Sequence, residues 1–381
     1  MKTSSIATCA LLLLPLIPAC AESASGRASE RDDRASADFC VEAGSPAAAG
    51  ILALVNDPAV DVELLDLSAS AGGVGLYRNA AQNIVAARPL DSLEQLDAVP
   101  YVGQSACRSL ARYACNEQDR CRSPLSMVSW NIEHFPLTDQ TEDAVIELVE
   151  DLQPDLVGVQ EIQDREAFED LVDRLDDYEG LIGARGYFTR VGILYRSSAV
   201  ELLESEDLFV DDTYHFPRSA LSADFDVLGA AESTTLSFAV VHLKAFGDSQ
   251  SVARRRGAVD LLRGWVDERR DDDAGQIVIV GDWNDRLTDD EEDNVFLPLT
   301  EDDARAQFLT MEAAEAGESS YIPFPSLIDH IMVTDEIFDA LDYQQTEVLY
   351  LDQTWSGTYE QTVSDHRPVQ ARFDLVQRFE E

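Results

Sequence analysis

The chain has 381 residues, 45% of them hydrophobic, and is long enough to bury one large core or two smaller ones. Its 73 acidic residues outnumber its 28 basic residues, and the formal net charge is −45. This balance argues against a protein that attracts nucleic acid through a broad basic surface, because such affinity comes mostly from Lys and Arg neutralising phosphates. A divalent-cation requirement, a cation-rich environment and adaptation to salt are all compatible with it.

The first 20 residues predict an export signal. Lys2 precedes an apolar stretch at 6–18 that is too short to span a membrane as a helix in the mature chain. Residues 17–20 resemble a bacterial lipobox, which implies that a lipid is attached to Cys20 after cleavage. We therefore expect a protein anchored to the bacterial envelope, at the outer membrane, through this lipid alone; secretion without a lipid is the alternative.

Residues 21–38 predict a flexible tether, because they are rich in Ser, Ala, Arg and Asp and cannot bury an apolar face. Four cysteines follow the tether, and none occurs after residue 121. An even number in an exported chain predicts two disulfides with three possible pairings, and a metal site of four thiolates is the alternative. These cysteines are Cys40, Cys107, Cys115 and Cys121.

Residues 39–121 contain two similar units, each predicted to be a helix, a tight glycine turn and a second helix. The first turn is Gly73-Val74-Gly75, and the second has Tyr101 where the first glycine would lie. The units resemble the tandem helix-hairpin-helix domain of DNA-uptake proteins, which implies phosphate binding by backbone N–H groups at the turn. The alternative is a disulfide-stapled helical cap that packs against the next domain.

Residues 122–381 alternate between predicted strands and helices. An apolar spacing near 3.6 residues predicts helices at 141–152 and 253–269. Short apolar runs rich in β-branched residues predict strands buried on both faces. These strands are 126–130, 155–160, 191–195, 236–242, 276–280, 327–333 and 369–373.

Polar residues occur where these strands begin or end. Each of them would need a partner inside a core, so that together they indicate one metal and acid–base site. For residues 276–286 taken alone, an Asx-turn that closes a strand is the alternative. The polar residues are Asn131, Glu161, His242, Asp282, Asn284, Asp329, Asp365 and His366.

The segments that carry these residues resemble the ordered motifs of the endonuclease/exonuclease/phosphatase superfamily, the DNase I-like group. The most specific are GDWN at 281–284 and SDHRPV at 364–369. The resemblance implies an α/β (α+β) fold in which two packed mixed β-sheets are flanked by helices in a four-layer sandwich, with the small all-α domain before it. It also implies phosphoester hydrolysis that depends on Mg²⁺ or Mn²⁺.

The resemblance also implies three cation ligands. Asn131 and Glu161 supply an amide oxygen and a carboxylate, which suit a hard cation that keeps several waters. Asp365 contributes directly or through a water.

Five residues are implied in catalysis. His366 lies beside the attacking water and the phosphoryl oxygens, and Asp329 holds its ring and favours the charged imidazolium. Asp282 and Asn284 orient the water and the phosphate. His242 donates a proton to the leaving oxygen.

Two residues are implied on the substrate side, and two positions depart from the pancreatic DNase branch. Arg218 resembles a substrate-binding arginine, and Lys244, the only lysine after the signal, is expected to contact phosphate.

Thr189 replaces the glutamate that supports the second histidine in the pancreatic DNase branch. Gln163 replaces an arginine, which weakens an interpretation based on the minor groove.

Other polar residues have structural interpretations. Residues 254–256, three arginines at the start of a helix, predict a solvated face, with a phosphate clamp as the alternative. His330 is expected to be structural, and His134 and His215 are expected on the surface. Weak Ca²⁺ binding is compatible with the acidic loops at 271–273 and 289–293.

Three functions are compatible with these features. The first is an exported, metal-dependent phosphodiesterase that acts on DNA or RNA as a monomer. The second is a phosphomonoesterase, or a phosphodiesterase that acts on a phospholipid or sphingomyelin head group, on the same scaffold. The third is a scaffold or adhesin without activity. The two histidines and the helical domain favour the first, although the net charge opposes it.

Overall fold

The computed structural model describes residues 39–229, 234–271, 274–301, 305–355, 358–377 and 379. The predicted export signal (1–20), with Cys20, and the predicted tether (21–38) lie outside these residues. The α-helices are α1 (Pro46–Asn56), α2 (Val62–Asp66), α3 (Arg78–Ala87), α4 (Leu93–Asp97), α5 (Gln104–Arg112), α6 (Thr141–Leu152), α7 (Arg165–Arg174), α8 (Ser249–Asp271), α9 (Leu297–Thr300), α10 (Met311–Glu315), α11 (Ile337–Ala340), α12 (Leu351–Thr354) and α13 (Tyr359–Thr362). The strands are β1 (Arg122–Phe135), β2 (Leu156–Ile162), β3 (Tyr178–Ile182), β4 (Arg190–Arg196), β5 (Val200–Leu208), β6 (Ala220–Val227), β7 (Thr235–His242), β8 (Ile277–Asp282), β9 (Ala306–Phe308), β10 (Asp329–Thr334), β11 (Leu341–Val348) and β12 (Val369–Val376).

Helices α1 to α5 form a helical region around an apolar core of their own. Two disulfides, Cys40–Cys107 and Cys115–Cys121, select one of the three pairings that the sequence allows. The turn between α2 and α3 contains Gly75 with φ 87°, and the turn between α4 and α5 contains Tyr101 with φ 68°. The helix-hairpin-helix assignment and the domain boundaries at 39–121 and 122–381 stay predictions.

In the part of the chain that the structure describes, the strands form two six-stranded sheets. The first sheet has the order β11-β12-β1-β2-β4-β3, and the second has the order β5-β6-β7-β8-β10-β9. One pair near the centre of each sheet is parallel, β1 with β2 and β7 with β8. The other pairs are antiparallel. Both sheets are therefore mixed, which confirms the predicted fold class.

The polar strand ends meet at one rim for a topological reason. Helix α6 connects β1 to β2, and α8 connects β7 to β8, so the two strands of each parallel pair end at the same edge. Strands β10 and β12 run antiparallel to β8 and β1 and therefore begin where those strands end. Asp329 pairs with Asp282, Val369 with Ser129, and His242 with Asp282.

The four layers follow from where the apolar side chains point. Met127 and Val280 lie in the core between the two sheets. Val145 of α6 lies in the core on the outer face of the first sheet, and Leu262 of α8 lies in the core on the outer face of the second. Each central strand is thus buried on both faces, as its continuous apolar sequence predicts.

The sheets come into close contact at Gly158 of β2. A Cβ atom at this position would lie 2.2 Å from Cγ2 of Val280 and 2.9 Å from Cγ2 of Val240, both in the second sheet. The glycine therefore sets how closely β2 can approach β7 and β8, the strands that carry His242 and Asp282.

We expect Gly158→Ala to lower the free energy of unfolding by about 1–3 kcal/mol, because the added methyl group forces the sheets apart. Equilibrium unfolding in urea measures the change. Gly264→Ala is the matched control: Gly264 lies in α8 with no atom within 4 Å of the added Cβ. The control is expected to raise stability by roughly 0.5–1 kcal/mol. Equal stability of the two variants would contradict the close sheet contact.

The helical region packs at the end of the sandwich opposite the polar rim. The N–H of Ala47 donates a hydrogen bond of 2.8 Å to Oε1 of Gln377, which directly follows β12. From Arg122, where β1 leaves the helical region, to Asn131 at the rim is nine residues of strand, or roughly 30 Å. None of the helices in the described ranges is both long enough and apolar enough to cross a membrane.

Candidate active site

A series of short contacts joins the two sheets at the polar rim. Nδ2 of Asn131, in the first sheet, donates a hydrogen bond of 3.1 Å to Oδ2 of Asp282, in the second. Nε2 of His242 lies 3.3 Å from the same oxygen and 3.9 Å from Oε1 of Glu161. Nε2 of His366 lies 4.0 Å from Oδ2 of Asp282. Asp282 is therefore the centre on which residues from both sheets converge.

His366 and Asp329 form a buried pair, with Nδ1 of the ring 2.7 Å from Oδ2 of the carboxylate. Burial opposes a charge on the ring, but Asp329, assisted by Asp282 and Asp365, outweighs burial and raises the pKa of His366 to about 10. The ring is thus held as an imidazolium. Its Nε2 points to the rim, 3.8 Å from Oδ1 of Asp365.

Three residues that the sequence analysis did not single out hold His366 in place. Oγ of Ser364 accepts a hydrogen bond of 2.9 Å from the His366 N–H and donates one of 2.6 Å to the backbone oxygen of Asn131. The hydroxyl of Tyr359 donates to the His366 carbonyl at 2.7 Å. The ring of Tyr321 packs on the imidazole, with 4.9 Å between centroids.

Asp282 and Asn284 close strand β8 with an Asx-turn. Oδ1 of Asp282 accepts a hydrogen bond of 3.0 Å from the N–H of Asn284, so the structural interpretation of this stretch holds while Oδ2 faces the rim. Nδ2 of Asn284 donates to the backbone oxygen of Leu243 at 3.3 Å. Burial and the neighbouring Asp329 raise the pKa of Asp282 to about 7, although His366 and Asn131 oppose the shift.

His242 is buried. Nδ1 has no hydrogen-bond partner among the described residues. Thr189, at the position of the supporting glutamate, binds elsewhere: its Oγ1 accepts a hydrogen bond of 3.3 Å from Nε of Arg218. Burial, with the positive charges of Arg218 and His366, holds the pKa of His242 well below its usual range. These surroundings favour a neutral ring and do not support a charged proton donor.

Three carboxyl groups gather beside Asn131. The N–H of Asp365 donates to Oε2 of Glu133 at 2.9 Å, and the N–H of His134 donates to Oε2 of Glu161 at 3.1 Å. Burial raises the pKa of Glu133, and the charges of Asp365 and Glu161 raise it further. Glu133 was not predicted as a site residue. Its position two residues after Asn131 could have indicated one, because residues i and i+2 of a strand lie on the same face.

A family model described as the endonuclease/exonuclease/phosphatase family matches residues 128–366. The chain belongs to this family. The members of the family are phosphoester hydrolases. No curated protein sequence matches the chain.

Solved structures share the fold at low sequence identity. D. rerio TDP2 in complex with a single-strand DNA product is 17% identical, with a TM-score of 0.51 over 66% of this chain and 99% of that chain. The human Nocturnin catalytic domain with bound sulfate is also 17% identical, with a TM-score of 0.51 over 66% and 93%. Bacteroides thetaiotaomicron mannosyl-6-phosphatase Bt3783 is 16% identical, with a TM-score of 0.51 over 65% and 99%. These similarities show the fold alone.

The residues at the rim fit a hard divalent cation of the kind that the family generally requires. The carboxylates of Glu133, Glu161 and Asp365 repel one another, and none is ion-paired with Arg or Lys in the described ranges. A cation would relieve this repulsion, and the amide oxygen of Asn131 completes an all-oxygen set of the type that Mg²⁺ and Mn²⁺ prefer. The identity of the ion and binding of Ca²⁺ by the acidic loops stay predictions.

A second group could in principle hold an ion. Asp282, Asp329 and His366 each place one ligand atom within 4.8 Å of the others. We assign these residues to acid–base chemistry instead, because His366 is bound to Asp329 through Nδ1 and a charged imidazolium does not ligate metals.

Arg218 and Lys244 lie on the His242 side of the site. Nη1 of Arg218 approaches the backbone oxygen of Leu243 at 3.5 Å. Burial lowers the pKa of Arg218, and the carboxylates of Glu161 and Asp282 oppose the shift, which places the guanidinium within their electrostatic reach. Nζ of Lys244 lies over the ring of Phe246, 4.3 Å from its centroid.

The remaining histidines have structural or peripheral positions. His330 is fully buried between Oγ1 of Thr310 and the backbone oxygen of Asp285, each 3.0 Å from a ring nitrogen. His134 is exposed, but its ring lies 3.5 Å from Glu161 at the rim. His215, expected on the surface, is half-buried and paired with Asp212.

The three arginines at 254–256 have three different environments. Arg255 is buried, and its Nε donates to Oδ2 of Asp285 at 2.8 Å. Arg256 is exposed and donates to the backbone oxygen of Glu292. Arg254 lies against the ring of Tyr214. A solvated face therefore describes only Arg256.

Proposed function

We propose that the chain is a metal-dependent phosphodiesterase that hydrolyses nucleic acid. The observation that carries this proposal is the placement of two buried histidines, His242 and His366, on either side of Asp282. A phosphodiester needs one group to position water and others to stabilise the phosphoryl oxygens and the leaving oxygen. The structure of D. rerio TDP2, which has a similar fold, contains a single-strand DNA product, and this supports the proposal.

The side chains have separate roles in this proposal. Asp282, with Asn284, orients the attacking water and accepts its proton, for which the raised pKa of Asp282 is suited. His366, held by Asp329, presents a charged N–H to a phosphoryl oxygen. A new bond forms between the water oxygen and phosphorus, and the bond from phosphorus to the leaving oxygen breaks. The leaving oxygen keeps the bonding electron pair and takes its proton from solvent water, since His242 only donates a hydrogen bond to it.

Asn131, Glu161 and Asp365, joined by Glu133, are the ligands that we assign to the cation. When bound, the cation would offset negative charge that develops on the phosphate. Arg218 and Lys244 would bind neighbouring phosphates, since they are the basic side chains on the His242 side of the rim.

We assign His242 as a neutral hydrogen-bond donor through Nε2, because no carboxylate in the described residues stabilises a charge from behind Nδ1. This replaces the proton transfer to the leaving oxygen that the sequence resemblance implies. His242→Ala is expected to lower kcat by about 10²–10³-fold, the loss of one oriented donor.

His242→Gln separates the two roles. The side-chain amide of glutamine can replace Nε2–H as a donor but cannot transfer a proton, so we expect it to recover most of the activity that His242→Ala loses. Steady-state hydrolysis of a fluorogenic oligonucleotide measures this. Equal loss in both variants would show that the histidine transfers a proton.

The proposed function is tested with residues 21–381, the mature chain without the lipid-bearing Cys20, and Mg²⁺ or Mn²⁺. Plasmid DNA, single-stranded DNA, RNA, sphingomyelin and a simple phosphomonoester are compared, with His366→Ala in parallel. Hydrolysis of nucleic acid by the wild type alone is expected. Turnover of only the phosphomonoester or the lipid would replace the proposal with that activity, and turnover that His366→Ala retains would reject the site.

We further propose that the protein is exported and anchored by a lipid on Cys20. The export signal and the two disulfides support this, because disulfides persist in oxidising compartments. Cells grown with a clickable palmitate analogue should label the wild type and not Cys20→Ser. If neither the wild type nor Cys20→Ser is labelled, secretion without a lipid is the alternative.

A further inference from the structure

Three strongly exposed aromatic rings lie on two loops beside the candidate active site. Tyr187 is 81% exposed, and Phe188 and Phe246 are each 74% exposed. Tyr187 and Phe188 pack edge to face, with 4.4 Å between centroids. Large aromatic side chains left in water at a functional rim are typical of a binding surface.

Arg218 ties both loops to the site. Its Nε donates to Oγ1 of Thr189, the residue after Phe188, and its backbone bridges to Gly186, the residue before Tyr187. Its Nη1 approaches the backbone oxygen of Leu243, which follows His242. The aromatic rings of the two loops therefore flank Arg218, next to the histidine.

Unpaired cations accompany these rings. Lys244 lies over Phe246, and Arg254 lies over Tyr214 with 5.0 Å to the ring centroid. In the part of the chain that the structure describes, Arg218, Lys244 and Arg254 form hydrogen bonds to backbone or hydroxyl oxygens but no ion pair with a carboxylate.

The charges of Arg254 and Arg218 act on Lys244 and, after burial, lower its pKa. In a chain with a net charge of −45, three neighbouring cations that form no ion pair with a carboxylate in the described residues provide a local site for an anion.

We propose that six residues form a binding surface for unpaired nucleotides of a single-stranded nucleic acid, on the segment beside the scissile phosphate. The cations bind successive phosphates, and the rings stack on bases. This inference rests on the proposed function and narrows its substrate class. The residues are Tyr187, Phe188, Arg218, Lys244, Phe246 and Arg254.

Single strands fit this surface better than a duplex or a membrane. The faces of bases in a duplex are covered by neighbouring base pairs, whereas an unpaired base can stack on a protein ring. A surface that enters a bilayer needs a contiguous apolar patch, whereas these rings lie on two separate loops, each of which is in contact with the charged side chain of Arg218. Stacking also adds affinity that does not depend on charge, which helps a strongly acidic protein to hold a polyanion.

Fluorescence anisotropy of a labelled oligothymidylate of about 10 nucleotides tests the inference with the mature chain in EDTA, where hydrolysis is blocked. Phe246→Ala and the double variant Tyr187→Ala/Phe188→Ala are each expected to raise Kd roughly five- to a hundredfold. Lys244→Ala is expected to reduce the slope of log K against log salt by about 0.7. Tyr343→Ala, at an exposed ring on edge strand β11, is the matched control and should bind as the wild type does. Thermal unfolding verifies that each variant is folded.

Three outcomes would overturn the inference. The first is equal affinity of wild type and ring variants for the oligonucleotide, and the second is binding of a blunt duplex as tight as that of the single strand. The third is loss, in the ring variants, of binding to phosphatidylcholine or phosphatidylglycerol vesicles while oligonucleotide affinity stays unchanged, which would assign the rings to a membrane. Hydrolysis of bis(4-nitrophenyl) phosphate by the wild type, absent in His366→Ala, tests the proposed function separately, because this small diester does not need the surface.

Discussion

Asp329→Asn is expected to lower kcat/KM by about 10²–10⁴-fold, the usual contribution of a positioned acid–base group. The variant removes the negative charge 2.7 Å from Nδ1 of His366 while it keeps the shape of the side chain. Without that charge, burial and solvent exclusion favour the neutral ring, so the phosphoryl oxygens lose their charged donor. The loss should lie in kcat more than in KM, since the imidazolium acts on charge that develops in the transition state.

His366→Ala should cause a loss at least as large, and the double variant should be no worse than His366→Ala alone, because the two side chains act as one unit. Initial rates with the oligonucleotide substrate measure this. His330→Gln is the matched control on the same strand: its ring is buried between Thr310 and Asp285, so the change should lower stability and leave kcat of the folded enzyme close to the wild-type value. Asp329→Asn with wild-type kcat would remove the pair from the mechanism.

Glu161→Gln is expected to weaken binding of Mn²⁺ at the rim by about 10- to 100-fold, because one charged ligand oxygen becomes neutral. Glu161 has φ 68°, and glutamine has the same side-chain shape and the same backbone preferences as glutamate, so the substitution changes mainly the charge. Electron paramagnetic resonance of free and bound Mn²⁺ measures the affinity without reference to activity.

Asp289→Asn is the control for this measurement. Asp289 lies in an acidic loop and is paired with Arg286, and it is not one of the assigned ligands, so its substitution should leave the tight site unchanged. If instead Asp329→Asn weakens Mn²⁺ binding and Glu161→Gln does not, the cation belongs to the group of Asp282, Asp329 and His366.

The buried strands could be predicted from the sequence because both of their faces are apolar. Strands β2, β7, β8 and β10 each contain a continuous apolar run, and the polarity changes abruptly where they reach the rim. Edge strands were not predicted, since β5 and β11 expose most of their polar side chains and carry no continuous apolar run. Strands β3, β6 and β9 were also missed.

Strand β6 shows why a buried strand cannot be recognised from its own sequence when its polar residues have partners far away in the chain. It contains Asp224, which is buried only because Arg269 and Ser237 bind it from distant parts of the chain. Partners that are distant in the sequence also could not be predicted at the rim. Nothing local distinguishes Arg255, which pairs with Asp285, from Arg254, which does not.

Sequence motifs predicted the residues of the candidate site better than the residues that hold them in place. The resemblance named Asn131, Glu161, Asp282 and His366, and the structure brings them together. Ser364 and Tyr359 act through the backbone of His366, and hydroxyl groups of this kind leave no distinctive spacing in a sequence.

The account depends on one cation-binding, hydrolytic site built from the ends of both sheets. Crystals of the mature chain soaked in Mn²⁺, with data collected at the manganese absorption edge, test this directly. We expect one dominant anomalous peak within ligand distance of Glu161 and Asn131, close to Asp365. A peak only at the acidic loop 289–293, or no peak at the rim at saturating Mn²⁺, would contradict the account.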